Sequence, residues 1–440
     1  MKKPAADIPK TESPVDTPTT GIPVVPRAYL FPFLLLTSLF ALWGLANNMT
    51  DVLLATFKRI MSMSDFQTSW IQIAFYGSYF CLALPAAMFI RRFTYKAGVL
   101  LGLGLFATGA LLFYPASQTM VYGHFLAALF VLAGGLSILE TSANPYAIVM
   151  GPERSATQRL NLAQSFNPLG SITGVLIGKL FILSELNQAT EAERAQMGLE
   201  QLRQIQQTEL SAVMGPYVVV ALIIGVVWLL IAFTRFPQAT ETDKSLHLGA
   251  TFKRLFRMKH YTRGVVAQFF YVGAQIGVWS FTIRYIMNDL GLNEAEAATY
   301  YLASILLFSL ARFACTGLMK YVAPHVLLWI MAALAVGLTS LVVLVGGYVG
   351  AIALVGISGC MSLMFPTIYG LAVHGLGEDT KIGASGLVMA ILGGAVLTAV
   401  QGQVSDMFGI HIAYVVPLIC FLVILYYGMK GYKADVPAVA

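Results

Sequence analysis

The sequence predicts an all-α membrane protein of twelve transmembrane helices in two six-helix bundles, and three observations lead there. Of its 440 residues, 58% are hydrophobic and only 11% are charged, where an average soluble domain carries about 25% charged residues. The apolar residues gather into runs near the ~20 residues that cross a bilayer as a helix. The basic residues lie in short clusters between those runs, the pattern by which a membrane protein orients itself.

Taken in chain order, residues 1–28 are polar and Pro/Thr-rich, with Lys2, Lys3 and Lys10. They read as a disordered cytoplasmic tail, and no cleavable signal peptide is visible. Twelve apolar runs follow, near 30–53, 68–90, 97–115, 121–149, 160–184, 213–234, 263–288, 297–318, 325–346, 348–374, 382–405 and 411–430. The third and fourth are parted by little more than Tyr114-Pro115-Ala116-Ser117-Gln118, the ninth and tenth only by Gly346-Gly347. Residues 185–212 are Glu/Gln-rich and predict a short amphipathic helix on the outer face. Residues 235–262, polar and then basic, form a cytoplasmic linker. It divides an N-terminal bundle over 29–234 from a C-terminal bundle over 263–431, and 432–440 is a second cytoplasmic tail. Halves of this kind are typically related by an axis along the membrane normal, with the substrate site between them at mid-depth. With the N-terminus inside, 21 of the 27 Lys and Arg residues fall on the cytoplasmic side. The predicted location is the cell inner membrane, crossed many times.

The net charge of +6 comes from those loop clusters rather than from a basic stripe, so no nucleic-acid partner is expected. Cys81, Cys315, Cys360 and Cys420 each sit inside an apolar run, without CxxC or metal-ligand spacing. There is no P-loop and no GxGxxG after a strand. The expectation is a non-enzyme without cofactor or metal, working as a monomer in the lipid bilayer.

Ionisable groups in spanning helices cost about 2.5–3.5 kcal/mol each at the helix centre, so they mark function. Asp51 follows Trp43-Gly44-Leu45-Ala46-Asn47-Asn48-Met49-Thr50. Asn47 and Asn48 lie four and three residues before it and Trp43 four before Asn47, which places an aromatic, amides and an acid on one helix face. The plainer alternative is a wet Asp51 at the outer helix end. Glu140 lies deep in the fourth run, with Asn144 four residues on and Pro145 predicted to kink the helix. Gln164 and Asn167 share a face of the fifth run. Gln268, Tyr271, Gln275 and Trp279 form a stripe on the seventh, and Pro366, Tyr369 and His374 mark the tenth. Such stripes also serve as interhelical glue. As a set, amides for hydroxyls and aromatic faces for C–H surfaces suit a neutral, hydroxyl-rich ligand. Arg284 and Arg312, near helix ends, read as snorkelling to the interface. Desolvation disfavours the charged form of a carboxyl, so a buried acid can take a proton on one side of the membrane and release it on the other.

Several of these segments together carry a resemblance. They are Leu42-Trp43 with Ala46-Asn47-Asn48 and Asp51, Arg91-Arg92-Phe93-Thr94-Tyr95-Lys96-Ala97-Gly98, and Leu139-Glu140-Thr141 with Ala143-Asn144-Pro145. Arg159-Leu160-Asn161-Leu162-Ala163-Gln164 with Phe166-Asn167, Ala267-Gln268-Phe269 with Tyr271-Val272-Gly273-Ala274-Gln275, Pro366-Thr367-Ile368 and Gly377-Glu378-Asp379-Thr380-Lys381 complete it. From about residue 30 to 430 the chain resembles the major facilitator superfamily and, within it, the fucose–galactose–glucose proton symporters. The resemblance implies the major facilitator fold, a central cavity with alternating access, and import of a monosaccharide with protons. It implies that Asp51 and Glu140 couple the proton. Substrate contacts are expected from Trp43, Asn47, Asn48, Glu140, Asn144, Gln164, Asn167, Gln268, Tyr271, Gln275, Trp279 and Tyr369. It implies an inner-gate role for the loop carrying Arg91, Arg92 and Lys96, whose plain reading is membrane topology. Glu140, where glucose-type members carry Gln, leans the substrate toward L-fucose, with D-galactose, D-glucose or a similar pyranose next. Departures at Gly277-Val278-Trp279 and Met364-Phe365 bear on which sugar fits. A proton-driven exporter would need a wider, more apolar cavity, and a sensor would need a large soluble domain.

Overall fold

In hydrocarbon every backbone polar group must be satisfied within the chain, which leaves helices or closed barrels. This chain takes the helical course. The computed structural model describes residues 19–60, 65–177, 180–181, 196–236 and 248–433. Residues 1–18 of the tail predicted over 1–28, residues 434–440 of the tail predicted over 432–440, part of the outer loop (182–195) and the middle of the linker (237–247) lie outside the described residues. Residues 19–24 of the first tail are held against the helices by hydrogen bonds instead of forming a disordered tail.

The first half consists of α1 (Leu30–Ile60), α2 (Asp65–Arg92), α3 (Tyr95–Thr119), α4 (Tyr122–Val149), α5 (Ala156–Gln164), α6 (Asn167–Ile177) and α7 (Leu199–Phe233). A short amphipathic helix, α8 (Leu248–Arg257), leads into the second half. That half holds α9 (Lys259–Leu290), α10 (Glu294–Leu318), α11 (Pro324–Leu344), α12 (Gly347–Met361), α13 (Met364–Val373), α14 (Thr380–Met389), α15 (Gly393–Phe408), α16 (Ile410–Ala413) and α17 (Val415–Tyr426). Among the described residues there is no strand, and eleven helical stretches are long and apolar enough to cross a membrane.

The fifth predicted run is the one that does not qualify. It breaks at Ser165–Phe166 between α5 and α6, and residues 178–179 near its end lie outside the described part. Pro168 is the second residue of α6, where a missing N–H costs nothing because the first turn has no intrahelical acceptor for it. The tenth run breaks in the same way at Ser362–Leu363, with Pro366 in the first turn of α13 and His374 just past its end.

Other boundaries move from their predicted places. Helix α3 continues through Pro115, and the turn falls at Met120, whose φ is +51°. Helix α4 runs unbroken through Pro145, the predicted kink site, because packed neighbours in a bundle absorb the groups a proline frees. The outer-loop segment from Leu199 onward is no separate amphipathic helix; it forms the first turns of the 35-residue α7.

The core contacts that place the cavity are backbone-close. At the α1–α6 crossing, a Cβ on Gly44 would sit 2.0 Å from Asn167 O, and one on Gly170 would sit 1.8 Å from Ala41 O. Only small residues permit this approach, the usual device for joining helices in lipid. It sets Trp43 on α1 beside Asn167 on α6.

Both ends of the described chain lie at one face. Thr20 Oγ1 donates to Lys320 O at 2.8 Å just after α10, and Tyr432 stacks on His325 at the start of α11 with ring centroids 4.4 Å apart. On this face α8 docks through Arg254, which donates to both carboxylate oxygens of Asp379 at 2.7 Å. Several residues that the sequence assigns to loop charge are structural here. Lys96 Nζ donates to Ala232 O and Thr234 O at the end of α7, at 2.8 and 2.9 Å. Arg159 is fully buried, with Nε donating to Ala147 O at 2.6 Å and Nη1 to Val24 O at 3.0 Å.

Candidate functional site

The two halves enclose a cavity of about 230 Å³. From the first half, α1 contributes Phe40, Trp43 and Asn48, α2 contributes Phe75, Tyr76 and Tyr79, and α4 contributes Glu140. Gln164, Asn167, Pro168 and Ser171 come from the α5–α6 break. The second half supplies Val272, Gln275, Ile276 and Trp279 from α9, with Tyr301, Ile305, Phe308 and Arg312 from α10. Phe365 of α13 and Ile391, after α14, complete the wall.

Glu140 is 1% exposed, and neither carboxylate oxygen makes a well-formed hydrogen bond among the described residues, the Asn144 amide four residues on being its polar neighbour. A bare buried carboxyl is costly unless it is protonated or meets a ligand. The amides around it are held in place. Gln164 Nε2 donates to Asn144 Oδ1 at 2.9 Å, so Asn144, fully buried behind the wall, positions Gln164 rather than facing the cavity. Asn167 Nδ2 donates to Phe40 O at 3.2 Å, and Asn48 Nδ2 to Gly44 O at 3.1 Å. Trp279 Nε1 donates to Ser358 Oγ at 3.2 Å while its ring meets Phe308 edge-on, centroids 5.0 Å apart.

The structure thus brings Trp43, Asn48, Glu140, Gln164, Asn167, Gln275 and Trp279 to one cavity. Asn47 and Asp51 lie on α1 with them, but their side chains fall outside the described part. Gln268, Tyr271 and Tyr369 do not line the cavity and are each 0% exposed. Gln268 and Tyr271 share the helix face of Gln275 and Trp279, so depth rather than face separates them. Below the level of Val272, α9 packs on the end of α12 and on α13: Tyr271 donates to Met361 O at 3.1 Å and its ring meets Phe365 at 6.1 Å. Tyr369 stacks beneath Phe365 at 6.4 Å. Phe365 is on the wall with Tyr271 and Tyr369 packed against it, and Gln268 is buried away from the wall.

Arg312 is the main correction. The sequence reading has it snorkelling near a helix end, yet it is 4% exposed and lines the cavity. Its Nε donates to Ser362 O and its Nη1 to Gln164 O at 3.1 Å, with the guanidinium carbon 4.4 Å from the Phe308 ring centroid. A mid-cavity cation therefore exists, held by two carbonyls and an aromatic face. Its signal in the sequence was the spacing to Phe308 at i−4. The aromatics of α2 and Tyr301 carried no such signal, because a Phe/Tyr-rich stretch in a spanning helix reads as lipid-facing or core.

The cavity is closed toward the face of the chain ends. Asn161 Nδ2 donates to Thr367 Oγ1 at 3.2 Å, Gln158 Nε2 to Thr316 O at 3.0 Å, Arg91 Nη1 to Thr251 Oγ1 at 3.3 Å and Lys381 Nζ to Ile90 O at 3.1 Å. The bonds of Asn161, Gln158 and Lys381 join the first half to the second, and that of Arg91 ties the first half to α8.

Comparison with known proteins follows the same outline. The model of the Major Facilitator Superfamily matches residues 34–400. The chain is 42% identical over 409 residues to the L-fucose-proton symporter of Escherichia coli, covering 91% of this chain and 93% of that protein. It is 39% identical over 424 residues to the L-fucose-proton symporter of Haemophilus influenzae, covering 93% and 98%. Its structure is similar to the crystal structure of the transporter FucP in the outward conformation, with a TM-score of 0.87, 42% identity and coverage of 91% of this chain and 99% of that one.

Proposed function

The chain belongs to the Major Facilitator Superfamily, and from that premise we propose that it imports L-fucose together with protons. The observation that carries the reading is Glu140, a buried acid without a well-formed hydrogen bond on the wall of a cavity shared by both halves. The two relatives at 39–42% identity over nine-tenths of the chain are named as L-fucose-proton symporters. A cavity of about 230 Å³ is smaller than the ~300–1,000 Å³ of sites for drug-sized ligands and suits a single sugar ring. That favours a monosaccharide over the wide apolar cargo of an exporter.

In this reading the sugar enters from the face opposite the chain ends. Asn48, Gln164, Asn167 and Gln275 hydrogen-bond its hydroxyls, and Trp43 and Trp279 offer ring faces. Asn47 and Asp51 join them from α1. Asn144 acts by holding Gln164. Glu140, protonated from outside, loses its charge and with it the cost of being enclosed. The halves then rock about the cavity, opening the seam on the side of the chain ends. Twelve spans, cytoplasmic termini, bundles over 29–234 and 263–431 and an inner-membrane location complete the proposal.

The test is an unbuffered suspension of cells expressing the chain and lacking other sugar carriers. L-fucose is added, then galactose, glucose, arabinose and lactose, with external pH recorded. Alkalinisation on L-fucose is the expected result. Alkalinisation only on another sugar reassigns the substrate, and none with any of them removes the proposal.

A further inference from the structure

Residues 19–26 cross from one half of the molecule to the other on the face that carries the chain ends. On the first half they are anchored by Arg159, whose Nη1 donates to Val24 O at 3.0 Å, and by Ser155, whose Oγ donates to Pro23 O at 3.3 Å. A turn closed by Ile22 N donating to Thr19 O at 3.1 Å then brings two threonines onto the end of α10 in the second half. Thr19 is 1% exposed. Its Oγ1 lies 2.6 Å from Gln158 Oε1 and 3.2 Å from Met319 O, and Thr20 Oγ1 donates to Lys320 O at 2.8 Å.

The partners explain why the segment sits there. The last carbonyls of a helix have no intrahelical donor. Turns at the end of α10 use those of Cys315, Gly317 and Leu318. The carbonyls of Thr316 and Lys320 instead receive Gln158 Nε2 and Thr20 Oγ1, while Thr19 Oγ1 gives its single proton to the nearer Gln158 Oε1, orienting that amide, and packs against Met319 O. Helix α10 is therefore capped from outside its own half. The caps are shared between α5 and the N-terminal segment, with Gln158 bonded to both the segment and α10.

We propose that residues 19–26 form a strap that caps α10 across the seam and holds the two halves closed on this face. Opening toward the chain ends must part α5 from α10, and so must break the Gln158–Thr316 bond, which Thr19 orients, and pull Thr20 off Lys320 O. The strap biases the resting transporter toward the state whose cavity faces the other side. It rests on the alternating-access reading above for its role in transport, but its effect on the seam does not depend on which sugar is carried.

The experiment uses the full chain in lipid nanodiscs, without sugar. Spin labels are placed at Arg154→Cys and Tyr321→Cys, both exposed and on opposite sides of the seam, in a Cys81→Ser background because Cys81 is the exposed native thiol. Electron–electron distance distributions are compared for the parent, Thr19→Val, Thr20→Val and the double variant. Each hydrogen bond lost is expected to raise the long-distance, seam-open population roughly fivefold, with the double variant largest. Thr20 is exposed, so its substitution keeps the test open if Thr19→Val does not fold. Unchanged distributions in Thr20→Val and the double variant overturn the strap. Failure of L-fucose to drive proton uptake, with the distributions shifted as expected, overturns only the substrate reading.

Discussion

Glu140 and Arg312 face one cavity from opposite halves, and each is placed at a cost that function must justify. Glu140→Gln keeps the volume and the hydrogen-bonding capacity but removes the titration. Accumulation of labelled sugar against a gradient is expected to fall to simple equilibration, while exchange between equal internal and external sugar persists; the check is parallel accumulation and exchange assays in membrane vesicles. Arg312 donates to Ser362 O and Gln164 O. Charge-assisted hydrogen bonds are worth about 1.5–3 kcal/mol each, so Arg312→Met is expected to lower the melting temperature of purified protein and to abolish sugar-induced stabilisation. Arg312→Lys retains the charge without the planar fork and is expected to recover only part of the melting temperature.

At the scale of the element, the site depends on how closely α6 lies on α1. Asn167 is aimed into the cavity because Gly44 and Gly170 let the two backbones touch. Gly170→Val drives a side chain into Ala41 O, and overpacking of this kind typically costs about 1–3 kcal/mol or more. The expected result is a lower melting temperature together with lost sugar binding, since Asn167 moves with α6. Gly225 on α7 has nothing within 4 Å of a built Cβ. Gly225→Ala is expected to be neutral or to stabilise by up to ~1 kcal/mol, because an interior helical glycine carries excess backbone entropy in the unfolded chain. Thermal unfolding of the pair, read side by side, separates close approach from helix propensity. The broken helices serve the site as well. The α5–α6 break places Gln164 and Asn167 on the wall, and the α12–α13 break leaves Ser362 O pointing at Arg312.

For the whole molecule, the two halves are held together on one side and parted by the cavity on the other. Lys381 belongs to that seal: it is 4% exposed, with Nζ donating to Ile90 O and lying 5.0 Å from the centre of the Tyr95 ring. Lys381→Met removes both interactions and keeps most of the bulk. A cysteine at Thr157, packed against Gly370 in the seam, is expected to react several-fold faster with a thiol reagent supplied from the face of the chain ends in that variant, measured in inverted vesicles with Cys81 replaced. An unchanged labelling rate places the seal elsewhere.

Much of this was legible in the chain itself. Hydropathy fixes that the segments span, because a backbone in lipid has almost no alternative to the helix. The rarity of buried acids singled out Glu140, and helical spacing put Gln275 with Trp279, whereas Gln164 and Asn167, expected on one helix face, reach the wall from either side of the α5–α6 break. Spacing, however, reports a helix face and is silent on depth. It grouped Gln268 and Tyr271 with Gln275, and only the packing of the helices shows Tyr271 set behind Phe365 and Gln268 buried away from the wall. Nor does the sequence say which way a long side chain turns. Arg312 near the end of an apolar run reads as reaching for water, and the tertiary structure turns it inward because two backbone carbonyls and the Phe308 ring wait there. The chain determined that it would cross the membrane and carry an acid within it. Tertiary packing decided which polar groups face one cavity and which are buried behind its wall, since contacts such as Arg312 to Gln164 and Tyr271 to Met361 join residues far apart in the chain.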